Sequence, residues 1–159
     1  MRIGVPREPA DQPRAAASPQ TVERMIRLGY EVLVERGAGE RAQFPDDAYE
    51  AAGAQLAGGA RVWGCDVVVS ASAPGEEHLA LMSRGAVLIC RLDPVRHPEI
   101  LESLRERGIT GLALDVVPRI SRAQSLDMLS SQANLAGYRA AIEAASHLGR
   151  LFSGQVTAA

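Results

Sequence analysis

Four side chains of complementary hydrogen-bonding capacity, Arg119, Gln124, Asp127 and Ser130, lie close together in the stretch 118–139, PRISRAQSLDMLSSQANLAGYR. Arginine only donates, an ionised aspartate only accepts, glutamine does both, and serine adds a small hydroxyl. Such a set can hold a planar carboxamide, which offers one acceptor oxygen and two N–H donors of its own. The loop follows an apolar strand-like run and leads into a long helix. That places it at the carboxyl end of a strand, where open α/β sheets bind ligands. A polar surface loop in which Asp127 caps a helical turn uses the same residues. Composition by itself favours that second reading.

Other chemistry is sparse. His78 and His97 fall near helix starts and His147 on the last helix, none with a partner at metal-ligand or catalytic spacing. Cys65 and Cys90 sit beside or within apolar runs, far apart in sequence, and read as buried thiols. Arg14, just before the first helix, suits a carboxylate or phosphate as well as it suits open solvent. Gly37-Ala38-Gly39 lacks the third glycine of a dinucleotide-binding turn, with Ala42 in its place, and reads as a plain turn. No Ser/His/Asp or Cys/His arrangement for nucleophilic catalysis is present.

Short apolar runs alternate with amphipathic stretches along the whole chain. Strands are expected at 2–5, 30–35, 66–70, 87–91 and 110–115. The valine run at 66–70 has the pattern of a strand covered on both faces. A first helix starts at Ser18-Pro19, with Ser as N-cap, keeps Val22, Met25 and Ile26 on one face and stops at Gly29. Further helices are expected at 46–52, closed by Gly53, at 75–82, and at 98–107, with Ile100, Leu101 and Leu104 inward and Gly108 as stop; residues 60–63 are expected to form another turn. A long helix is expected at 134–152, with Leu135, Tyr138, Ile142, Ala145 and Leu148 on one stripe.

Repeated strand–helix–strand units imply an α/β fold with a doubly wound, mostly parallel sheet, flavodoxin-like or Rossmann-like, ending in a connector helix. The expected organisation is an N-terminal α/β domain over 1–133, a connector helix over 134–152 and a linker over 153–159. With 159 residues the chain can bury a real core. A net charge of −2 gives no electrostatic footprint for nucleic acid. All seventeen basic residues are Arg, so no lysine-based chemistry is available. No apolar run approaches the roughly 20 residues that span a bilayer, and the opening Met1-Arg2-Ile3-Gly4 runs directly into a strand rather than a signal sequence.

The opening MRIGVPRE, the turn 34–39 (VERGAG), the helix end 49–54 (YEAAGA) and the long polar string 118–139 together resemble the alanine dehydrogenase/transhydrogenase family. PRISRAQSLD and SSQANLAGYR are similar to the transhydrogenase branch in particular. The resemblance covers essentially the whole chain. It implies that Arg119, Gln124, Asp127 and Ser130 contact the nicotinamide region of NAD(H). Gln124 and Asp127 are then the candidate catalytic residues, aligning that ring against NADP(H) on a partner subunit. The implied reaction is hydride transfer from NADH to NADP+, coupled to proton movement through a separate membrane domain. Such a reaction asks the protein for orientation rather than for acid–base groups.

The same resemblance implies a homodimer, an NADP(H)-binding beta subunit and a membrane proton-channel domain as partners. It implies a cytoplasmic location, peripheral to the inner membrane through those other parts, with no direct membrane insertion. In this family the chain continues into a glycine-fingerprint domain and then returns. Residues 1–159 alone are therefore expected to bind NAD weakly or not at all and to transfer no hydride. The alanine dehydrogenase branch uses a Lys after the valine-rich strand and a His after the next one. Here those stretches read VSASAP (69–74) and RLDP (91–94), with neither residue. A third reading, from another class, is a free-standing, non-enzymatic dimerising module.

Overall fold

Alternation of apolar side chains builds the sheet. Residues 1–118 and 120–150 are described in a computed structural model of the chain. They fall into two compact units, Met1–Val116 and Val117–Ala159. In the first, β1 (Arg2–Val5) is followed by α1 (Pro19–Arg27), β2 (Glu31–Glu35), a 3-10 turn (Glu40–Ala42), α2 (Asp46–Ala51), β3 (Gln55–Ala57) and α3 (Gly59–Trp63). Then come β4 (Val67–Val69), α4 (Glu76–Leu79), β5 (Val87–Cys90), α5 (Glu99–Arg107) and β6 (Thr110–Ala113).

The six strands form one sheet in the order β3-β2-β1-β4-β5-β6, every neighbour parallel. This is the Rossmann strand order, and it settles the choice between the two expected sheet types. Ile3, Val5, Val32, Val34 and Val67 pack with Val22 of α1 and Tyr49 of α2 on one face. Leu33 packs with Val62 on the other, and Val68, Leu88 and Cys90 pack there with Trp63, Leu79 and Leu104. The period of two along each strand is thus cashed as two cores, one under each helical layer. At Gly4, where β1 passes under α3, a Cβ would sit 2.2 Å from the Val62 carbonyl oxygen.

The local signals operate as expected at most ends. Ser18 Oγ accepts from Thr21 N–H, Pro19 opens α1, and Gly29 follows it at φ +91°. Gly53 (φ +92°) and Gly108 (φ +65°) close α2 and α5 in the left-handed conformation that glycine adopts without strain. Cys65 and Cys90 are free and buried.

Three expectations need correction. β3 was not anticipated, because three residues without alternation carry no period; it exists through its pairing with Leu33, Val34 and Glu35. Leu101 is 48% exposed, since one step along a helix turns it away from the Ile100–Leu104 face. The last helix, α6, spans Met128–His147 and so begins six residues before position 134, because Asp127 caps it with its side chain. It also ends at His147, short of the expected Phe152, because Leu148 leaves the helical conformation for an extended one. Leu135, Tyr138 and Ile142 of its stripe are all exposed.

Candidate functional site

In the second unit a 3-10 segment, Ser121–Leu126, runs directly into Asp127 and α6. Asp127 Oδ1 accepts from the Ser130 N–H at 2.9 Å, and Oδ2 accepts from the Ser130 hydroxyl at 2.6 Å. The Ser131 hydroxyl donates to the Asp127 carbonyl at 2.9 Å. Capping satisfies one of the orphan donors of the helix and fixes the carboxylate rotamer.

Gln124, Asp127 and Ser130 line one open depression of about 530 Å³, together with Ile120, Ser121 and Ala123. Their spacing of three residues brings them to one side as the 3-10 turn passes into the α-helix. The depression offers an amide, a carboxylate and a hydroxyl beside the exposed apolar side chain of Ile120. That combination can bind a flat ring carrying a carboxamide. Arg119, the fourth residue expected here, lies outside the described residues.

The first unit has its own crevice, where the strand order reverses between β1 and β4. It opens into a cleft of about 630 Å³ lined by Arg7, Glu8, Glu35, Arg41, Ser70 and Ser72, among others. Glu8 is only 4% exposed. Its Oε1 accepts from Ala71 N–H at 2.6 Å and from the Ser70 hydroxyl at 3.1 Å, and its Oε2 accepts from Ser72 N–H at 3.1 Å. The Ser70 hydroxyl is also 2.8 Å from the Ser72 carbonyl, so its single hydrogen is shared. Arg41 donates to the Glu8 carbonyl, and Arg7 N–H donates to Glu35 Oε2 at 2.9 Å. On the same wall, His78 stacks on Trp63, ring centroids 4.7 Å apart at an interplanar angle of 24°.

A second carboxylate does similar work after β5. Asp115 accepts from the Leu92 and Asp93 N–H groups at 3.0 and 2.8 Å, which holds Asp93 at φ +49°. Cys90 lies near both clamps. Burial pushes its thiol up to about 12, with the charges of Asp115 and Glu8 adding to the effect. Burial raises Cys65 as well. Neither thiol is a nucleophile at neutral pH.

Arg14 donates through Nε to Gln12 Oε1 at 2.7 Å, and Gln12 reaches the Ser72 hydroxyl at 3.4 Å. A small depression of about 180 Å³ lies between Gln12, Ser72, Arg91, Asp93 and His97. His97 therefore reaches the ground that follows β5, although it stands beyond the stretch 91–94; its Nδ1 is 3.1 Å from Glu99. The Gly37–Gly39 turn is a turn: Gly37 N–H donates to Asp46, and Gly39 is closely packed by Phe44 and Tyr49. Among the described residues, no group of three His, Cys, Asp or Glu side chains could hold a metal ion. Sequence reasoning missed Glu8 altogether, because nothing in Pro-Arg-Glu-Pro signals partners more than sixty residues away.

The family described as alanine dehydrogenase/PNT, N-terminal domain, matches residues 4–136. The chain belongs to this family. It is 47% identical over its full length to the NAD(P) transhydrogenase subunit alpha of Haemophilus influenzae, of which it covers 31%. It is 35% identical to the alanine dehydrogenase of Bacillus subtilis over 89% of its own length and 37% of that protein. The crystal structure of transhydrogenase from Sinorhizobium meliloti superposes with a TM-score of 0.89 at 37% identity, covering 99% of this chain and 46% of that one. The chain thus spans less than half the length of the relatives it matches. The matched part of the Sinorhizobium meliloti structure shares this α/β fold.

Proposed function

We propose that this chain forms the nicotinamide-facing wall of the NAD(H) site in a proton-translocating NAD(P) transhydrogenase alpha subunit. The observation that carries the reading is the convergence of Gln124, Asp127 and Ser130 on one depression, within the segment whose wording points to the transhydrogenase branch. The donor set fits the group: a carboxamide oxygen meets the Gln124 N–H, and a carboxamide N–H meets the Asp127 carboxylate or the Ser130 hydroxyl oxygen. The greater identity to the transhydrogenase alpha subunit than to alanine dehydrogenase supports the same branch.

When bound, the nicotinamide supplies the hydride chemistry. The chain's own residues bind the carboxamide, fix the ring plane and keep it against one face. Gln124 and Asp127 are aligning groups, with Arg119 completing the donor set. Ile120 provides apolar surface that excludes water from one side. NADP(H) is held by a beta-subunit domain, and a membrane domain carries the proton, which makes the chain cytoplasmic and peripheral. No helix among the described residues is long and apolar enough to cross a membrane. A homodimer completes the proposed assembly. The N-terminal α/β domain and the connector helix α6, which begins at Met128, feed a second, glycine-fingerprint domain that completes the NAD site.

The test is NADH-dependent reduction of NADP+ by the full-length enzyme with Arg119, Gln124 and Asp127 all changed to Ala. The expected outcome is a fall of about 100-fold or more, as for loss of several charge-assisted contacts made at the reacting ring. An undiminished rate removes the assignment. The rival alanine dehydrogenase reading predicts alanine-dependent NAD+ reduction instead, without the Lys that its branch uses.

A further inference from the structure

The Glu8 carboxylate occupies the place where a parallel sheet of this order receives an anionic ligand. Crevices outside the carboxyl ends of the strands, at the point where strand order reverses, are the usual ligand position in such folds. There the phosphates of nucleotides are met by backbone N–H groups. In this chain two consecutive N–H groups, of Ala71 and Ser72, and the Ser70 hydroxyl do converge at the end of β4. What they meet is the chain's own Glu8, 4% exposed, delivered from the end of β1. The connection from Pro6 to Ser18 contains no glycine, so its backbone cannot make the close pyrophosphate approach of a dinucleotide turn. Arg41 of the 3-10 turn and Glu35 at the end of β2 tie the backbone of the same segment from the other side, through the Glu8 carbonyl and the Arg7 N–H.

We propose that the β1–β4 crevice is an anion nest whose resident occupant is the Glu8 carboxylate, and that a free monocarboxylate takes its place when that side chain is removed. Successive backbone N–H groups in a turn make an anion-binding concavity without any cationic side chain. An ionised carboxylate bound by them is held more strongly than a neutral acceptor. Because Ser70, Ser72 and Glu8 also line the open cleft, a small anion has a route in. The filled nest has a consequence for specificity: phosphate-bearing ligands are refused at this sheet's own crevice, independently of what the Gln124–Ser130 depression binds.

Glu8→Ala in the full chain tests this. Two inward backbone N–H donors, of Ala71 and Ser72, lose their acceptor, while the Ser70 hydroxyl keeps the Ser72 carbonyl, and the melting temperature is expected to fall by roughly 5–15 °C. Sodium formate up to about 100 mM should return at least about half of that loss along a saturating curve, against sodium chloride at matched ionic strength. The wild type and Tyr49→Phe, which is weakened elsewhere, should show no such response. Equal recovery in Tyr49→Phe, or none in Glu8→Ala, overturns the proposal. Should Glu8→Ala not fold, hydrogen exchange in the wild type decides. The amides of Ala71 and Ser72 are expected to exchange about 100-fold or more slowly than open loop amides, and exchange at open-loop rates overturns the nest.

Discussion

Asp127 holds Ser130 twice, by its backbone N–H at 2.9 Å and by its hydroxyl at 2.6 Å, one carboxylate oxygen to each. The residue is therefore the N-cap of a twenty-residue helix as well as the acceptor proposed for a carboxamide N–H. Two substitutions separate the roles. Asp127→Asn keeps an N-cap of comparable quality and removes the charge; Asp127→Ala removes both. In the full-length enzyme, Asp127→Asn should lower hydride transfer by about tenfold or more with helicity and melting temperature nearly unchanged. Asp127→Ala should lose the same activity and in addition about 1 kcal/mol of stability. Circular dichroism melts and a transhydrogenation assay read the two effects separately. An active Asp127→Asn would leave Asp127 as a cap alone.

Gly4 and Gly29 predict opposite responses to the same change. At Gly4 an added methyl meets the Val62 carbonyl oxygen at 2.2 Å, backbone against backbone, and β1 must move from α3. Gly4→Ala should cost about 3 kcal/mol or more, a melting-temperature fall of about 6–12 °C. Gly29 has nothing within 4 Å and only its φ of +91° to defend. Gly29→Ala should cost about 1 kcal/mol. Chemical denaturation curves of the two variants would show whether the ranking holds.

Tyr49 gives a pH prediction. It is fully buried, its hydroxyl donates to the Ala17 carbonyl at 2.8 Å, and burial, with a smaller push from Asp46, raises it to about 12. Above an unfolded value near 10 the unfolded chain loses this proton while the folded chain keeps it. The contribution is fully present below pH 10 and is lost as pH rises toward 12, so stability should decline across that window. Tyr49→Phe should flatten the decline and cost about 1–2 kcal/mol at neutral pH, where the Ala17 carbonyl loses its donor. Denaturation midpoints measured between neutral and alkaline pH check both statements.

Much of the fold was legible because its signals are local. Ser18-Pro19, Gly29, Gly53 and Gly108 mark ends by backbone chemistry that acts within a few residues. The strand runs carry their own period. β3 was not legible, since Gln55–Ala57 becomes a strand only by lying beside β2. The early start of α6 was legible in principle: Asp127 is a residue type favoured as an N-cap, and its side chain accepts from the Ser130 N–H. Of the proposed site, the three-residue spacing of Gln124, Asp127 and Ser130 was enough to place them together. The clamps made by Glu8 and Asp115 were invisible because each joins loops that only the folded sheet brings side by side.

The stacked pair on the wall of the first unit's cleft has a practical consequence. Trp63 is the chain's single tryptophan, buried at 4% exposure, with the His78 ring against its face. Its fluorescence therefore belongs to one spot. A solute that displaces the imidazole, or a rearrangement that parts α3 from α4, will alter the emission of an unlabelled sample. The molecule carries its own optical gauge for that crevice.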